Sequence, residues 1–505
     1  MKIIKKYKSQ INFHLILNFI VGVFITFSSY FHLPLNYISD YSIYFIHFLI
    51  IQFTLFGFLY ILSLNKYIFY LGFSFFFIVY SLFSYWIYTL DISVSDSIMQ
   101  AILESKLDIA IDLFTVPFLL FIVIVLVVLY YILNQYKKLN VNQLTSPLSV
   151  LAIIGIALFF TFNSYGIGNL KWRMPYNLTY GFINYYEKPS VELLPINSKV
   201  SRKSDDITIV FVLGESVRAK NLGLNGYYRN TTPLLSKVPN LVSFPFVYTP
   251  LTSTAISVPQ ILTNQSINSK TDKKSYSIYS VLNKVKVKTT WIGNQSPEKS
   301  YSIYINQNDS INLIDSFHDV FSFQKKLDEN LLKPFNSILN NSKNQFITLH
   351  MIGSHWWYES RYTDEFRKFK PVIDSKHIPS LPKEQIVNSY DNTVLYLDYF
   401  LNETIEIIEK SKSKTILIYL SDHGEILGEN GKWLHAQNDD ASTNPAMIVW
   451  YSNSFKETYP EKIQNLKLNS LKKITTDFFY NSILDLLDIQ NFEYQNEESI
   501  FNYKI

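Results

Sequence analysis

Long apolar stretches separated by short polar breaks fill the N-terminal part of the chain, and a different rhythm follows. Five stretches, Ile11–Phe31, Ser42–Leu64, Ile68–Leu90, Leu113–Leu133 and Leu148–Tyr165, contain no Lys, Arg, Asp or Glu. A bilayer crossing takes about 20 apolar residues at about 1.5 Å of rise each. The pattern therefore predicts five transmembrane helices, the last being the shortest. The loops set their orientation. Lys2, Lys5, Lys6, Lys8, Lys66, Lys137 and Lys138 fall on one side, and Lys106 alone on the other. Because basic loops stay in the cytoplasm, the N-terminus is expected inside and everything after Tyr165 outside. No small-residue cleavage site follows the first stretch, so it reads as an anchor and not as a removed signal peptide.

Beyond residue 200 the apolar runs are short and β-branched: Ile207–Leu213, Phe346–Met351, Thr415–Leu420 and Ala446–Tyr451. Such nearly continuous runs suit buried strands. Between them lie amphipathic stretches such as Lys383–Lys410, with apolar Ile386, Val394, Leu395, Leu397, Phe400 and Leu401. Alternating strands and helices predict an α/β domain built on a mainly parallel sheet. Three regions result: a membrane domain at 1–165, a connection at 166–200, and an outer domain at 201–505. In the connection, Trp172, Tyr176, Tyr180, Phe182, Tyr185 and Tyr186 stand beside Lys171, Arg173 and Lys188. That mixture suits one or two short helices in the headgroup layer, or a plain linker with some aromatic packing. The acidic loop Asp91–Asp112 reads equally as a solvated loop or as a place to hold a lipid headgroup.

Composition sharpens this division. Only 17% of the 505 residues are charged and 48% are hydrophobic, against about 25% charged in ordinary soluble domains. A net charge of +4 gives no footing for nucleic acid. The absence of cysteine excludes disulfides, thiolate-held zinc, iron–sulfur clusters and a cysteine nucleophile.

In open α/β sheets, ligands bind beyond the carboxyl ends of the strands, and the polar motifs fall there. The first run ends in Gly214-Glu215-Ser216, and the third in Ser421-Asp422-His423-Gly424-Glu425. Glu215, Asp422 and His423 offer the N/O ligands that zinc accepts. Taken singly, a Glu after a strand also serves as a helix cap and an Asp-His as a turn. Thr252-Ser253-Thr254-Ala255-Ile256-Ser257-Val258-Pro259 offers hydroxyls at a helix start. There they either cap the helix or, beside a metal, serve as a nucleophile. His355 and His435, both downstream of strands, suit a proton shuttle or phosphate neutralisation.

A longer text runs through these motifs. It comprises Gly214-Glu215-Ser216-Val217-Arg218-Ala219 and Leu224-Asn225-Gly226-Tyr227-Tyr228-Arg229-Asn230-Thr231-Thr232-Pro233. It continues through Ser253–Pro259, Gly353-Ser354-His355, Tyr390-Asp391-Asn392-Thr393 and Ser421–Glu425 to Gly428-Glu429-Asn430-Gly431 and His435. With five spans before it, the chain resembles the membrane-anchored phosphoethanolamine transferases. These modify lipid A and related glycans, carry an alkaline-phosphatase/sulfatase-type domain, and include the enzymes of transferable polymyxin resistance. The resemblance implies zinc, one ion or two, held by Glu215, Thr254, Asp422 and His423. It implies that Thr254 is the nucleophile that carries phosphoethanolamine, and that His355 and His435 contact phosphate and substrate. Ser296 and Lys299 resemble a pair near the donor headgroup. The donor implied is phosphatidylethanolamine, and the acceptor is lipid A or another surface glycan. The setting implied is the bacterial inner membrane, with the catalytic domain periplasmic, membrane lipids as partners, and a monomer.

The chain also departs from that pattern. The family carries disulfides in the outer domain, one bracketing the nucleophile loop. Here Gln260 stands where a Cys follows the Pro, which leaves stability to the core. In the loop after the third span Ala101 and Ser105 replace an Asn and a Thr, and Ile109, beside Asp108, replaces a Glu. Trp356 and Trp357 follow His355, unlike the best-known members. The competing readings are a phosphoglycerol transferase of the lipoteichoic acid synthase type and a non-catalytic membrane protein. The latter would be marked by loss of a ligand or of the nucleophile, and all four positions are filled.

Overall fold

The computed structural model describes residues 6–33, 35–90, 116–139, 146–165, 168–186, 192–204, 206–269, 274–298, 300–316, 318, 325–375, 381–435 and 439–502. The chain forms two compact units. One comprises Met1–Glu187 with Asp374–Ser380, and the other comprises Lys188–Ile373 with Leu381–Ile505.

The first unit is helical, as its apolar text dictates. Its main helices are α1 (Lys8–Val21), α2 (Ile38–Ser63), α3 (Ser74–Leu90), α4 (Val116–Lys137), α5 (Leu148–Ser164) and α6 (Tyr176–Tyr186). Among the described residues, four helical stretches are long and apolar enough to cross a membrane: Lys8–Thr26, Ile38–Ser63, Lys66–Thr89 and Val116–Lys137. The fifth predicted stretch forms α5, an apolar helix of 17 residues that is shorter than these four. The Asp91–Asp112 loop lies outside the described residues. In the 166–200 connection, a short turn at Gly168–Trp172 precedes α6. Leu170, Met174, Tyr176 and Leu178 join the same buried cluster as the long helices. The Tyr176 hydroxyl lies 2.7 Å from Thr54 Oγ1, and Tyr80 the same distance from Thr179 Oγ1.

Small residues let α2 and α5 approach closely, a device that membrane helix pairs use. A Cβ added at Gly155 would stand 2.5 Å from the Phe53 carbonyl, and one at Gly57 would stand 2.6 Å from the Ala152 carbonyl. Both obstacles are backbone and cannot rotate away. Gly155→Val is therefore expected to destabilise the unit by about 1–3 kcal/mol, the usual cost of overpacking. Gly72→Ala, whose nearest neighbour is 3.6 Å away, should be tolerated. Thermal unfolding of the detergent-solubilised chain distinguishes the two.

The second unit is built on a seven-stranded sheet. Its strands are β1 (Thr208–Gly214), β2 (Leu241–Phe244), β3 (Lys288–Gly293), β4 (Ser310–Leu313), β5 (Gln345–His350), β6 (Thr415–Ser421) and β7 (Met447–Tyr451). Their order across the sheet is β2-β7-β6-β1-β5-β3-β4. The sheet is mixed. β6, β1, β5, β3 and β4 pair in parallel, while β7 runs antiparallel to both β6 and β2. Each predicted strand is present within one residue at either end. β1, β5, β6 and β7 are buried along their whole length, as two-sided cover requires. The predicted amphipathic helix is α8 (Lys383–Ser411), and α7 (Thr254–Ile261) begins at the hydroxyl-rich run.

Candidate metal centre and nucleophile

Register brings the first two motifs together. β1 and β6 pair from Thr208↔Thr415 to Gly214↔Ser421, so Glu215 and Asp422 leave the same sheet edge side by side. Ser216 adopts φ 58°, which turns the chain sharply after Glu215. Tyr390 of α8 braces that turn, its hydroxyl donating to the Ser216 carbonyl at 2.8 Å and accepting from Arg218 N–H at 3.0 Å. Gly353 packs on the other side. A Cβ there would stand 2.7 Å from the Glu215 carbonyl, at a φ of +54° that L side chains seldom adopt.

Glu215, Asp422 and His423 are all buried, and one ligand atom from each lies within 4.8 Å of the others. His423 Nε2 stands 3.4 Å from Glu215 Oε1 and 3.4 Å from Asp422 Oδ2. Its Nδ1 meets the Gly424 carbonyl at 2.8 Å, so Nε2 is the nitrogen aimed at the carboxylates. Neither Asp422 Oδ2 nor His423 Nε2 has a hydrogen-bond partner among the described residues. Buried polar atoms are normally paired. Two carboxylates and an imidazole facing one another with unpaired atoms fit a divalent cation of the zinc type.

Thr254, first residue of α7, reaches the same group. Its hydroxyl donates to Glu215 Oε2 at 2.9 Å. His435 and His355 complete the neighbourhood, with ring centroids 4.6 Å between His423 and His435 and 5.7 Å between His355 and His435. Six of the predicted site residues, Glu215, Thr254, His355, Asp422, His423 and His435, are thus drawn into one cluster.

The charges in this cluster depend on one another. Burial pushes the Glu215 carboxyl up, but His423, His355 and His435 outweigh it and bring it down to about 2. Asp422 is raised well above the carboxylate range by burial and then by Glu215. Burial lowers His423, and it lowers His355 to about 3. For His435 burial acts downward, yet Glu425 overrides it and raises the imidazole to about 9. Burial and the neighbouring carboxylates thus push the three imidazoles in different directions, His435 upward and His355 and His423 downward.

Two functional neighbours had little signal in the sequence. Glu425 holds His435 Nδ1 at 3.0 Å with one oxygen and accepts from the Tyr358 hydroxyl at 2.6 Å with the other. It was visible only as the last residue of the Asp-His run. Gln295 reaches Glu215 Oε2 at 3.3 Å and is itself fixed by the Met351 carbonyl at 2.8 Å. Its neighbour Ser296 instead faces the His318 carbonyl at 3.5 Å. Lys299 lies outside the described residues. The Tyr227 and Asp391 stretches are scaffolding. Buried Asp391 accepts from Asn221, Tyr227 and Arg229 and ties the loop after Glu215 to α8.

Gln260, where the resemblance implies a cysteine, forms hydrogen bonds with both of its amide atoms. Its Oε1 accepts from Thr476 Oγ1 at 2.7 Å, and its Nε2 donates to Asp477 Oδ1 at 2.8 Å. These side-chain hydrogen bonds tie the C-terminal end of α7 to the Thr476–Asp477 segment. Gln260→Ala should cost about 1–3 kcal/mol, because it leaves the buried Thr476 hydroxyl without its acceptor. Denaturant unfolding measures that loss.

Comparison with known proteins places this geometry. Residues 207–489 match the family model described as Sulfatase. The chain is 32% identical over 313 residues to the phosphoethanolamine transferase EptA of Escherichia coli K12, a match covering 59% of this chain and 56% of that protein. The chain thus spans little more than half the length of that curated relative. The crystal structure of the soluble domain of lipooligosaccharide phosphoethanolamine transferase A from Neisseria meningitidis is 32% identical. That match covers 61% of this chain and 97% of that domain, with a TM-score of 0.55. The integral membrane form of the Neisseria meningitidis protein shares the fold over 97% of this chain and 98% of its own, at 24% identity and a TM-score of 0.56.

Proposed function

The chain belongs to the sulfatase family, and from that premise we propose that it is a membrane-anchored, zinc-dependent phosphoethanolamine transferase. The observation that carries this reading is the Thr254 hydroxyl bonded to Glu215, in a cluster with Asp422 and His423 that leaves two buried ligand atoms unpaired. A hydroxyl beside a carboxylate–histidine metal site is the arrangement expected for a nucleophile that receives a phosphoryl group. The relatives named above supply the substrate class.

In this reading the donor is phosphatidylethanolamine. Thr254 Oγ1 forms a bond to the phosphorus, the bond from phosphorus to the glyceride oxygen breaks, and diacylglycerol leaves with a proton. An acceptor oxygen of lipid A or another glycan then attacks the phosphorus. The bond to Thr254 breaks and the hydroxyl is restored. Glu215 orients the Thr254 hydroxyl before attack. His435, paired with Glu425, offsets charge on the phosphoryl oxygens, and buried His355 beside it moves a proton. Glu215, Asp422 and His423 would hold zinc, which supplies positive charge against a developing alkoxide. Ser296 and Lys299 are assigned to the headgroup. Residues 1–165 form a five-span inner-membrane domain, with α5 as the fifth span, residues 166–200 lie at the interface, and 201–505 form the periplasmic domain. Holding the catalytic group at the bilayer raises its effective concentration against a lipid donor.

The test is intact-mass analysis of the full chain incubated in mixed micelles with phosphatidylethanolamine labelled in the ethanolamine. The expected product is a labelled phosphoethanolamine adduct that maps to Thr254 and disappears on addition of lipid A. A phosphoglycerol adduct from phosphatidylglycerol, with none from phosphatidylethanolamine, would transfer the assignment to the lipoteichoic-type reaction.

A further inference from the structure

A cavity of about 840 Å³ opens in the second compact unit, and none of the metal-centre residues line it. Its volume falls within the ~300–1,000 Å³ typical of small-molecule sites. Tyr276, Tyr480, Phe492 and Tyr494 contribute aromatic walls. The Tyr276 and Phe492 rings pack edge to face at 5.1 Å. Tyr480 is only 2% exposed, and its hydroxyl has no hydrogen-bond partner among the described residues.

The polar lining has one sign. Asp477, Glu493, Glu497 and Glu498 contribute carboxylates, and no Lys, Arg or His is among the described residues that line the cavity. Asp477 is already committed, with Gln260, Ser266 and the Ile267 N–H donating to it at 2.7–2.8 Å. Glu498 accepts from Asn481 at 2.8 Å. Burial, then Asp477 and then Glu497, push its carboxyl above the usual range. Glu498 thus feels Asp477 and Glu497 with no basic residue among the described lining residues, a repulsion that a bound cation would relieve. Aromatic faces also favour cations. A phosphate or carboxylate ligand would be repelled. A bare metal ion would leave the aromatic walls and most of the volume unused.

We propose that this cavity is a binding site for an organic cation of the aliphatic amine or polyamine class, separate from the metal centre. Carboxylates pair with the ammonium groups while the tyrosine and phenylalanine rings cover the methylene chain. The assignment does not rest on the transferase reading, and its failure would leave that reading untouched.

Calorimetric titration of the full-length chain in non-ionic detergent, with spermidine as the probe, tests it. Saturable binding at one site per chain is expected. The double variant Glu497→Gln/Glu498→Gln should weaken it by about tenfold or more, since glutamine keeps the Asn481 contact and removes the charge. Tyr494→Leu, which keeps every carboxylate, should weaken it several-fold and guards against a double variant that does not fold. Absence of saturable binding overturns the proposal. So does undiminished binding by folded variants, or equally tight binding of a neutral disaccharide such as trehalose.

Discussion

Thr254→Ala is expected to lower diacylglycerol release from phosphatidylethanolamine by roughly 10⁴-fold or more, the scale seen when a covalent nucleophile is removed. Stability should change by no more than about 1–2 kcal/mol. One hydrogen bond to Glu215 is lost, while alanine at the first position of α7 favours the helix. The neighbouring hydroxyls are poor substitutes. Ser257 donates to the Ser253 carbonyl at 2.9 Å, and Ser253 stands outside the helix as its N-cap. The real rival is Ser216, whose hydroxyl donates to Glu215 Oε1 at 2.7 Å. Ser216 is fully buried, however, whereas Thr254 is partly exposed and followed by exposed Ala255 and Ile256. A lipid phosphate can reach only the second. Thr254→Ser should therefore keep measurable release and a serine-borne adduct, and Ser216→Ala should keep the Thr254 adduct. Wild-type release by Thr254→Ala, or loss of the adduct in Ser216→Ala with Thr254 intact, would assign the chemistry to Ser216.

The sequence made some of this legible and hid the rest for identifiable reasons. β1, β5, β6 and β7 announced themselves because strands covered on both faces must be apolar throughout. β4, Ser310–Leu313, is largely exposed and carries no such run, and β3 opens on Lys288-Thr289-Thr290. The antiparallel sense of β7 had no signature, since a buried run reads alike in either direction. Glu215, Asp422 and His423 were visible because each follows a strand. The reason they meet, the Gly214↔Ser421 register, belongs to the folded sheet alone. Glu425 and Gln295 were hidden for another reason: their roles lie in what they hold, His435 and Glu215, and not in their own position. Gln260 shows a further case. Its place in the motif marked a missing cysteine, but the bonds it makes run to Thr476 and Asp477, over 200 residues away.

The second large effect is expected from metal removal, and Asp422→Asn fixes its sign. In the wild type, burial and Glu215 both oppose a charged Asp422. A divalent cation offsets that opposition, so a chelator should unmask it. For free metal at about a thousand times its dissociation constant, binding contributes about 4 kcal/mol, which lowers the unfolding midpoint on the order of 10 °C when lost. In Asp422→Asn the loop itself survives. Asn keeps Oδ1 as acceptor for the Ser216 and His423 N–H groups, which now stand at 3.2 and 2.8 Å. What is lost is the charge on the second oxygen, the atom that has no partner. The metal-free variant should therefore unfold at a higher temperature than the metal-free wild type, carry little zinc by elemental analysis, and show almost no response to chelator. The order of stability reverses once zinc is supplied, because the variant has nothing to gain from it. A merely structural Asp422 would give a lower midpoint in both conditions and an unchanged zinc content, and that result would remove Asp422 from the ligand set.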